Sequence, residues 1–223
     1  MTSRSTAVAA AGRSVVVGLD LAGSEERRTG FCCLTGAREV RTQVLGRDAE
    51  IVESTVRARP RLVAIDAPLS LPRGRTDLDD RTGPHFRACD RRLRELGIPF
   101  FPITLGPMRM LTRRGIRIRS ALEESGLHVL ESYPGGVQDL LHWPRKGEGV
   151  ERLRRALVRF GFRGDVQHRS ITHDELDAIA CAHVARLFLA GKAQLIGDPA
   201  EGEILLPRVA RPVGRRSGRR DPR

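Results

Sequence analysis

The sequence predicts an α/β domain on a mixed five-stranded sheet flanked by helices. The first three strands are antiparallel, strands 1, 4 and 5 are parallel, and a long insertion separates strands 4 and 5. Three observations carry this expectation. Apolar runs at 15–22 (VVVGLDLA) and 61–66 (RLVAID) are continuous enough for strands covered on both faces. A TGAR turn joins two β-rich segments, 30–35 (GFCCLT) and 39–45 (EVRTQVL), as a hairpin. Segments of helical period then alternate with further strands, the pattern of βα units.

The remaining elements follow in order. Residues 48–58 place Ile51, Val52 and Val56 on one face behind Asp48 as the expected cap, so they read as a helix. Residues 67–103 are rich in Pro, Gly and charge and hold one short helix, at about 85–96. An insertion of this length inside a domain points to function or to poor order. A helix is expected over 104–125, interrupted at Gly115, then a fifth strand at 127–133 (LHVLESY). Helices near 136–142 and 149–160 lead to a last helix at 171–191 (ITHDELDAIACAHVARLFLAG), and 195–207 reads as a small terminal hairpin or extended coda. Residues 1–13 form a loose arm, 14–207 a single domain and 208–223 a disordered basic tail. Right-handed crossovers place the first, fourth and fifth strands side by side.

Bulk composition narrows the function classes. The 223 residues are 40% hydrophobic and 30% charged, as expected of a globular protein. No apolar run approaches the ~20 residues of a membrane helix, and the N-terminus lacks the apolar core of a signal peptide. A cytoplasmic location is expected. Cys32, Cys33, Cys89 and Cys181 show neither a CxxC pair nor zinc spacing, so reduced thiols are expected, with Cys181 buried. The net charge of +12 suggests a polyanionic partner, nucleic acid above all. Yet only Lys146 and Lys192 are lysines, so the charge is an arginine habit, and half the excess lies in the tail. Aromatics at 4% disfavour a single-strand binder that works by base stacking.

The chemistry lies in the acids. Asp20 ends the first strand, Asp66 the fourth, and Glu131 stands near the end of the fifth. Each alone is an ordinary turn acceptor or solvated acid. Together, on adjacent strands, they repel unless a cation sits among them. The last helix adds Asp174 and Asp177, three apart and so on one face. Hard divalent ions favour such oxygen ligands. Two ions held this way can activate water and stabilise the leaving oxygen at phosphorus. His173 is either a proton shuttle or a locally satisfied helix N-terminal histidine.

The segments GLDLAGS…TG, AIDAPLSLP, RACDRRLRELGI, VLESYPGG, THDELDAIACA and IGDPAEGEILLP resemble, as an ordered set over roughly 15–207, a family catalogued as a domain of unknown function (family 429). The resemblance implies an RNase H-like fold and a predicted nuclease. It implies that Asp20 is the central metal-bridging acid, that Asp66 is the strand-end acid, and that DELDA supplies Asp174 and Asp177 in a D-x-x-D-A pattern. Glu131 is the expected fourth acid in preference to Glu50 or Glu53, which read as solvent-facing. The catalytic and metal-binding set is thus Asp20, Asp66, Glu131, Asp174 and Asp177, holding Mg²⁺ or Mn²⁺, as two ions, against nucleic acid. The long insertion departs from the minimal fold.

Other readings stay open. Arg87, Arg91, Arg92 and Arg94 either grip phosphates or form a solvated basic face, as do the arginines of 109–120. The turn GSEERRTG (23–30) is a candidate phosphate loop. A nucleotide-phosphate enzyme related to actin-like ATPases also begins with a strand-end Asp and a Gly-containing turn, but repeats the β-β-β-α-β unit, and only one copy is found. A non-catalytic binding module on the same fold is the third reading.

Overall fold

The computed structural model describes residues 14–80, 82–168 and 170–208. The expected arm over 1–13 and the basic tail beyond Arg208 lie outside the described residues. The strands are β1 (Val15–Asp20), β2 (Thr29–Thr35), β3 (Glu39–Leu45), β4 (Val63–Asp66), β5 (Val129–Ser132), β6 (Arg163–Gly164), β7 (Ala193–Asp198) and β8 (Gly202–Pro207). The helices are α1 (Asp48–Ala58), α2 (Ala88–Glu95), α3 (Gly106–Glu124), α4 (Pro134–Leu140), α5 (Val150–Phe160), α6 (Asp165–His168) and α7 (His173–Leu189).

One sheet runs in the order β6-β3-β2-β1-β4-β5-β8-β7. Its centre is the expected arrangement: β1, β2 and β3 are antiparallel, and β1, β4 and β5 are parallel. The sheet is wider than the expected five strands. The hairpin at 195–207 does not trail off but docks β8 parallel to β5, and the two-residue β6 extends the far edge beside β3. This is a mixed α/β sheet with helices on both faces.

Period-two alternation divides the sheet into two cores. Val16, Ala64, Cys32 and Leu34 pack toward α7, together with Leu176, Ile179 and Val184. Val17, Leu19, Val63 and Ile65 face the opposite way, toward Ile51 of α1 and Ile118 and Leu122 of α3. The small residues of α7 let it press onto β1. A Cβ on Gly18 would lie 2.1 Å from the carbonyl oxygen of Ala178 and 2.4 Å from the amide nitrogen of Ala182. Only glycine admits a helix that close.

Helix α1 begins differently from its expectation. Its cap residue is Arg47, with no side-chain cap bond, and Asp48 is the first helical residue. The Asp48 carboxylate is occupied elsewhere, accepting hydrogen bonds from Arg114 at 2.7 Å and from Arg117. Arg114 is itself buried and donates to the carbonyls of Ala22, Ser24 and Gly46. It therefore ties α3 to the loop after β1 and to the approach to α1. Arg75 plays the same part in the insertion, donating to the carbonyls of Asp77, Asp80, Gly83 and Pro84. Other arginines of α3 meet the insertion's acids, Arg109 and Arg113 pairing with Asp79. Much of the arginine excess within the domain is thus internal fastening.

Candidate active site

Asp20 and Asp66 are direct cross-strand partners at the carboxyl ends of β1 and β4. Parallel neighbours in a sheet stand ~4.8 Å apart, and partners in register project from the same face. That face is the α7 face, because Gly18 and Ala64, two residues earlier on each strand, pack there. Asp20 is buried and Asp66 half-buried.

The start of α7 is set beside this pair by its cap and by a second glycine. Thr172 and Glu175 form a capping box: the Thr172 hydroxyl accepts from the Glu175 amide at 3.3 Å, and the Glu175 carboxylate accepts from the Thr172 amide at 3.0 Å. The other Glu175 oxygen accepts from the Thr42 hydroxyl at 2.9 Å and so binds the helix to β3. Gly30, the β2 partner of Asp20, lies under the first turn of α7, where a Cβ would come within 2.0 Å of the Asp174 carbonyl oxygen. Of the three acids that open this helix, Glu175 is therefore structural. Asp174 is half-buried at the cavity edge, and Asp177 is buried beneath, accepting from the Gln138 amide of α4 at 2.6 Å. The Cys181 thiol, one turn further along, is pushed well above its ordinary pKa, first by burial and then by the charges of Asp66, Asp20 and Asp177.

Glu131 is placed differently. Its strand partner is Ile65, so it leaves β5 on the face opposite to Asp20 and Asp66. Both of its oxygens accept from Arg87, at 2.6 and 2.7 Å, and one also accepts from the Leu69 amide at 2.8 Å. Arg87 is 1% exposed and also binds Asp90 and Ser70. Burial opposes its charge, but Glu131 and Asp90 outweigh burial and hold the guanidinium protonated. Arg87 thus anchors the insertion to β5. Of the other arginines in that helix, Arg92 pairs with Glu95, Arg94 stacks on Phe86 at 4.5 Å, and Arg91 reaches the Phe86 carbonyl. The solvated-face reading describes α2 better than a phosphate grip. Glu50 and Glu53 are both exposed on α1. His173 is exposed and outside the cavity lining.

A cavity of about 730 Å³ opens over the strand ends. Asp20, Asp66 and Asp174 line it, and one edge of the Glu131–Arg87 pair reaches it. Of its other walls, sequence reasoning singled out the 23–30 turn and missed Arg145, Tyr133 and the apolar side. Arg27 and Arg28 of the 23–30 turn are exposed on its rim and have no ion pair among the described residues. Arg145, clamped by Asp139, bonds the Tyr133 hydroxyl at 3.3 Å. Burial raises the Tyr133 pKa against the opposing pull of Arg145. Phe100, Phe101 and Met110 form an apolar wall. The sequence signal for that wall was the paired phenylalanine between prolines in GIPFFP.

Among the described residues, no group of three or more His, Cys, Asp or Glu side chains is placed so that it could hold a metal ion. What the site does supply is the chemistry of hard oxygen donors, without a closed ligand set. Two carboxylates project in register from one face, a third stands at the cavity edge, and all are hard oxygen donors.

Over residues 18–202 the sequence matches the family described as "Protein of unknown function (DUF429)", and the chain belongs to that family. No curated protein matches it. Among solved structures, Thermus thermophilus RuvC in complex with Holliday junction substrate is 16% identical, with a TM-score of 0.49, over 80% of this chain and 96% of that one. A second Thermus thermophilus RuvC structure is 16% identical, with a TM-score of 0.44, over 79% and 96%. Among the described residues, no helix is long and apolar enough to cross a membrane.

Proposed function

We propose that this protein is a divalent-metal-dependent nuclease that hydrolyses phosphodiester bonds. The observation that carries the reading is the in-register pair Asp20 and Asp66 at the floor of the large cavity. Two buried or half-buried carboxylates held side by side repel, and a hard cation relieves that repulsion. Asp20 and Asp66 would hold Mg²⁺ or Mn²⁺, with Asp174 joining from the rim and Asp177 supporting from below. Bound there, one or two such ions supply Lewis-acid activation of water and neutralise charge at phosphorus.

The chain's own residues do the rest. Asp66 and Asp20 are fixed by the ladder between β1 and β4, so their spacing is set before any ligand arrives. Gly18 and Gly30 set the depth of α7, and with it the positions of Asp174 and Asp177. Arg27 and Arg28 offer the rim's cationic contacts to a phosphate backbone. Glu131, occupied by Arg87, fastens the insertion that forms one wall, and in this reading it is not a ligand. The described residues form one sheet with a single β-β-β-α-β order, which favours this reading over an actin-like two-lobed nucleotide enzyme.

The test is a cleavage screen with labelled single-stranded, duplex, hybrid and branched DNA and RNA, with and without Mg²⁺ and Mn²⁺. Metal-dependent cleavage that disappears in a folded Asp20→Asn protein is the expected result. Equal cleavage by wild type and Asp20→Asn would overturn the assignment. Nucleic-acid binding indifferent to divalent ions, with no cleavage, would favour a non-catalytic module.

A further inference from the structure

The cavity's apolar wall has no role in the hydrolytic chemistry. The two most exposed large apolar side chains among the described residues are Phe101, 69% exposed, and Met110, 51% exposed. Both line this cavity. Phe101 is not a loose end, because its neighbour Phe100 packs onto the core and meets the Phe86 ring edge-on at 5.9 Å. Met110 stands on α3 against the turn that carries the rim arginines: a Cβ on Gly23 would lie 3.8 Å from the Met110 Cβ. One cavity therefore combines an exposed aromatic and thioether wall, a carboxylate floor and two rim guanidiniums without ion pairs among the described residues.

We infer that this wall receives an unpaired nucleobase, so that the substrate is a nucleic acid with single-stranded or unstacked nucleotides at the point of attack. The inference rests on the nuclease reading and deepens it. A nucleotide carries an apolar π-face and a phosphate one sugar apart, which matches a Phe101 wall beside an arginine rim and a cation-seeking floor. An apolar protein segment would cover Phe101 and Met110 but offer nothing to the two rim guanidiniums. An intact duplex offers phosphates but keeps its base faces stacked, leaving the wall exposed to water. The low aromatic content of the chain disfavours base stacking in general; the exposed Phe101 ring departs from that expectation, and a single base position needs only one ring.

The test is equilibrium binding of a fluorescent single strand, an abasic strand of equal length, and the matching duplex, measured in Ca²⁺ and again in EDTA. The proteins are wild type, Phe101→Ala and Phe101→Trp, each confirmed folded by circular dichroism. Base–aromatic stacking predicts that wild type binds the base-bearing strand about 5- to 150-fold tighter than the abasic one. Phe101→Ala brings that ratio toward one, and Phe101→Trp restores it. A wild-type ratio near one, a ratio unchanged in Phe101→Ala, tighter binding of duplex than of single strand, or no binding of the single strand in either buffer would each overturn the inference. Cleavage is scored separately. A protein that binds with the expected ratio but never cleaves keeps the base site and loses the nuclease reading. One that cleaves without the ratio does the reverse.

Discussion

Replacing Arg87 with Met probes the division of labour among the acids. Arg87 is 1% exposed and satisfies both oxygens of Glu131, which is itself 6% exposed. Removing the guanidinium leaves a buried carboxylate with only the Leu69 amide as a donor from the described contacts. Breaking a buried pair from one side costs about 3–5 kcal/mol. For a chain of this size that corresponds to a fall in Tm of about 6–20 °C. Glu131→Met is milder, about 1–3 kcal/mol, because Arg87 keeps Asp90 at 2.9 Å and the loss is mainly of hydrogen bonds. The double variant Arg87→Met/Glu131→Met should cost less than the two single changes added together, because neither charge is left stranded. Urea unfolding followed by the fluorescence of the single tryptophan, Trp143, measures all four proteins. An Arg87→Met protein within about 1 kcal/mol of wild type, or strictly additive costs in the double variant, would refute the reasoning and return Glu131 to the candidate ligands.

The other predictions concern helix α7 and its packing. His183 is 3% exposed among Trp143, Phe160 and Phe162, and neither ring nitrogen has a hydrogen-bond partner among the described residues. Burial, with Arg38 and Arg186 adding to it, lowers its pKa to about 3. The folded state therefore holds it neutral while the unfolded chain protonates near pH 6.5. Stability from this group is full above that pH and is lost as pH falls toward 3, by about 2 kcal/mol between pH 7 and 5. His183→Leu should flatten that part of the urea-midpoint profile, and an unchanged slope would contradict it. Gly18→Ala drives a methyl into the backbone of α7 and should lower stability by about 1–3 kcal/mol or more, read as a fall in Tm. Gly30→Ala pushes on the Asp174 carbonyl and should weaken divalent-ion binding more, per degree of Tm lost, than Gly18→Ala does; calorimetric titration of each folded variant checks this, and equal losses would contradict it.

The central sheet was legible because its signals are local. Apolar runs, the TGAR hairpin and the strand-end acids each lie within a few residues, and handedness fixes the order of β1, β4 and β5. The convergence of Asp20 and Asp66 was legible for the same reason, since two acids ending adjacent parallel strands fall into register. The fate of Glu131 was not. One residue of register separates it from Ser132, the partner of Asp66, and a one-residue step turns a side chain to the other face. Arg87 was illegible as its partner, because an arginine at the head of a basic helix has the same sequence pattern in a buried pair as at a phosphate. The docking of β8 beside β5 depends on contacts across more than seventy residues, and nothing within 195–207 announces it. Among the acids of α7, the role of Glu175 was within reach of the sequence, because Thr172 to Glu175 has the capping-box spacing. Asp177 separated only in three dimensions, where Gln138 claims it from another helix.

The most direct test of the account is Mn²⁺ titration by electron paramagnetic resonance of wild type, Asp20→Asn, Asp66→Asn and Glu131→Gln, each checked for a native fold. The account predicts saturable binding in wild type, at least a tenfold loss in either aspartate variant, and near wild-type affinity in Glu131→Gln. Wild-type affinity retained in both aspartate variants, or lost only in Glu131→Gln, would contradict it.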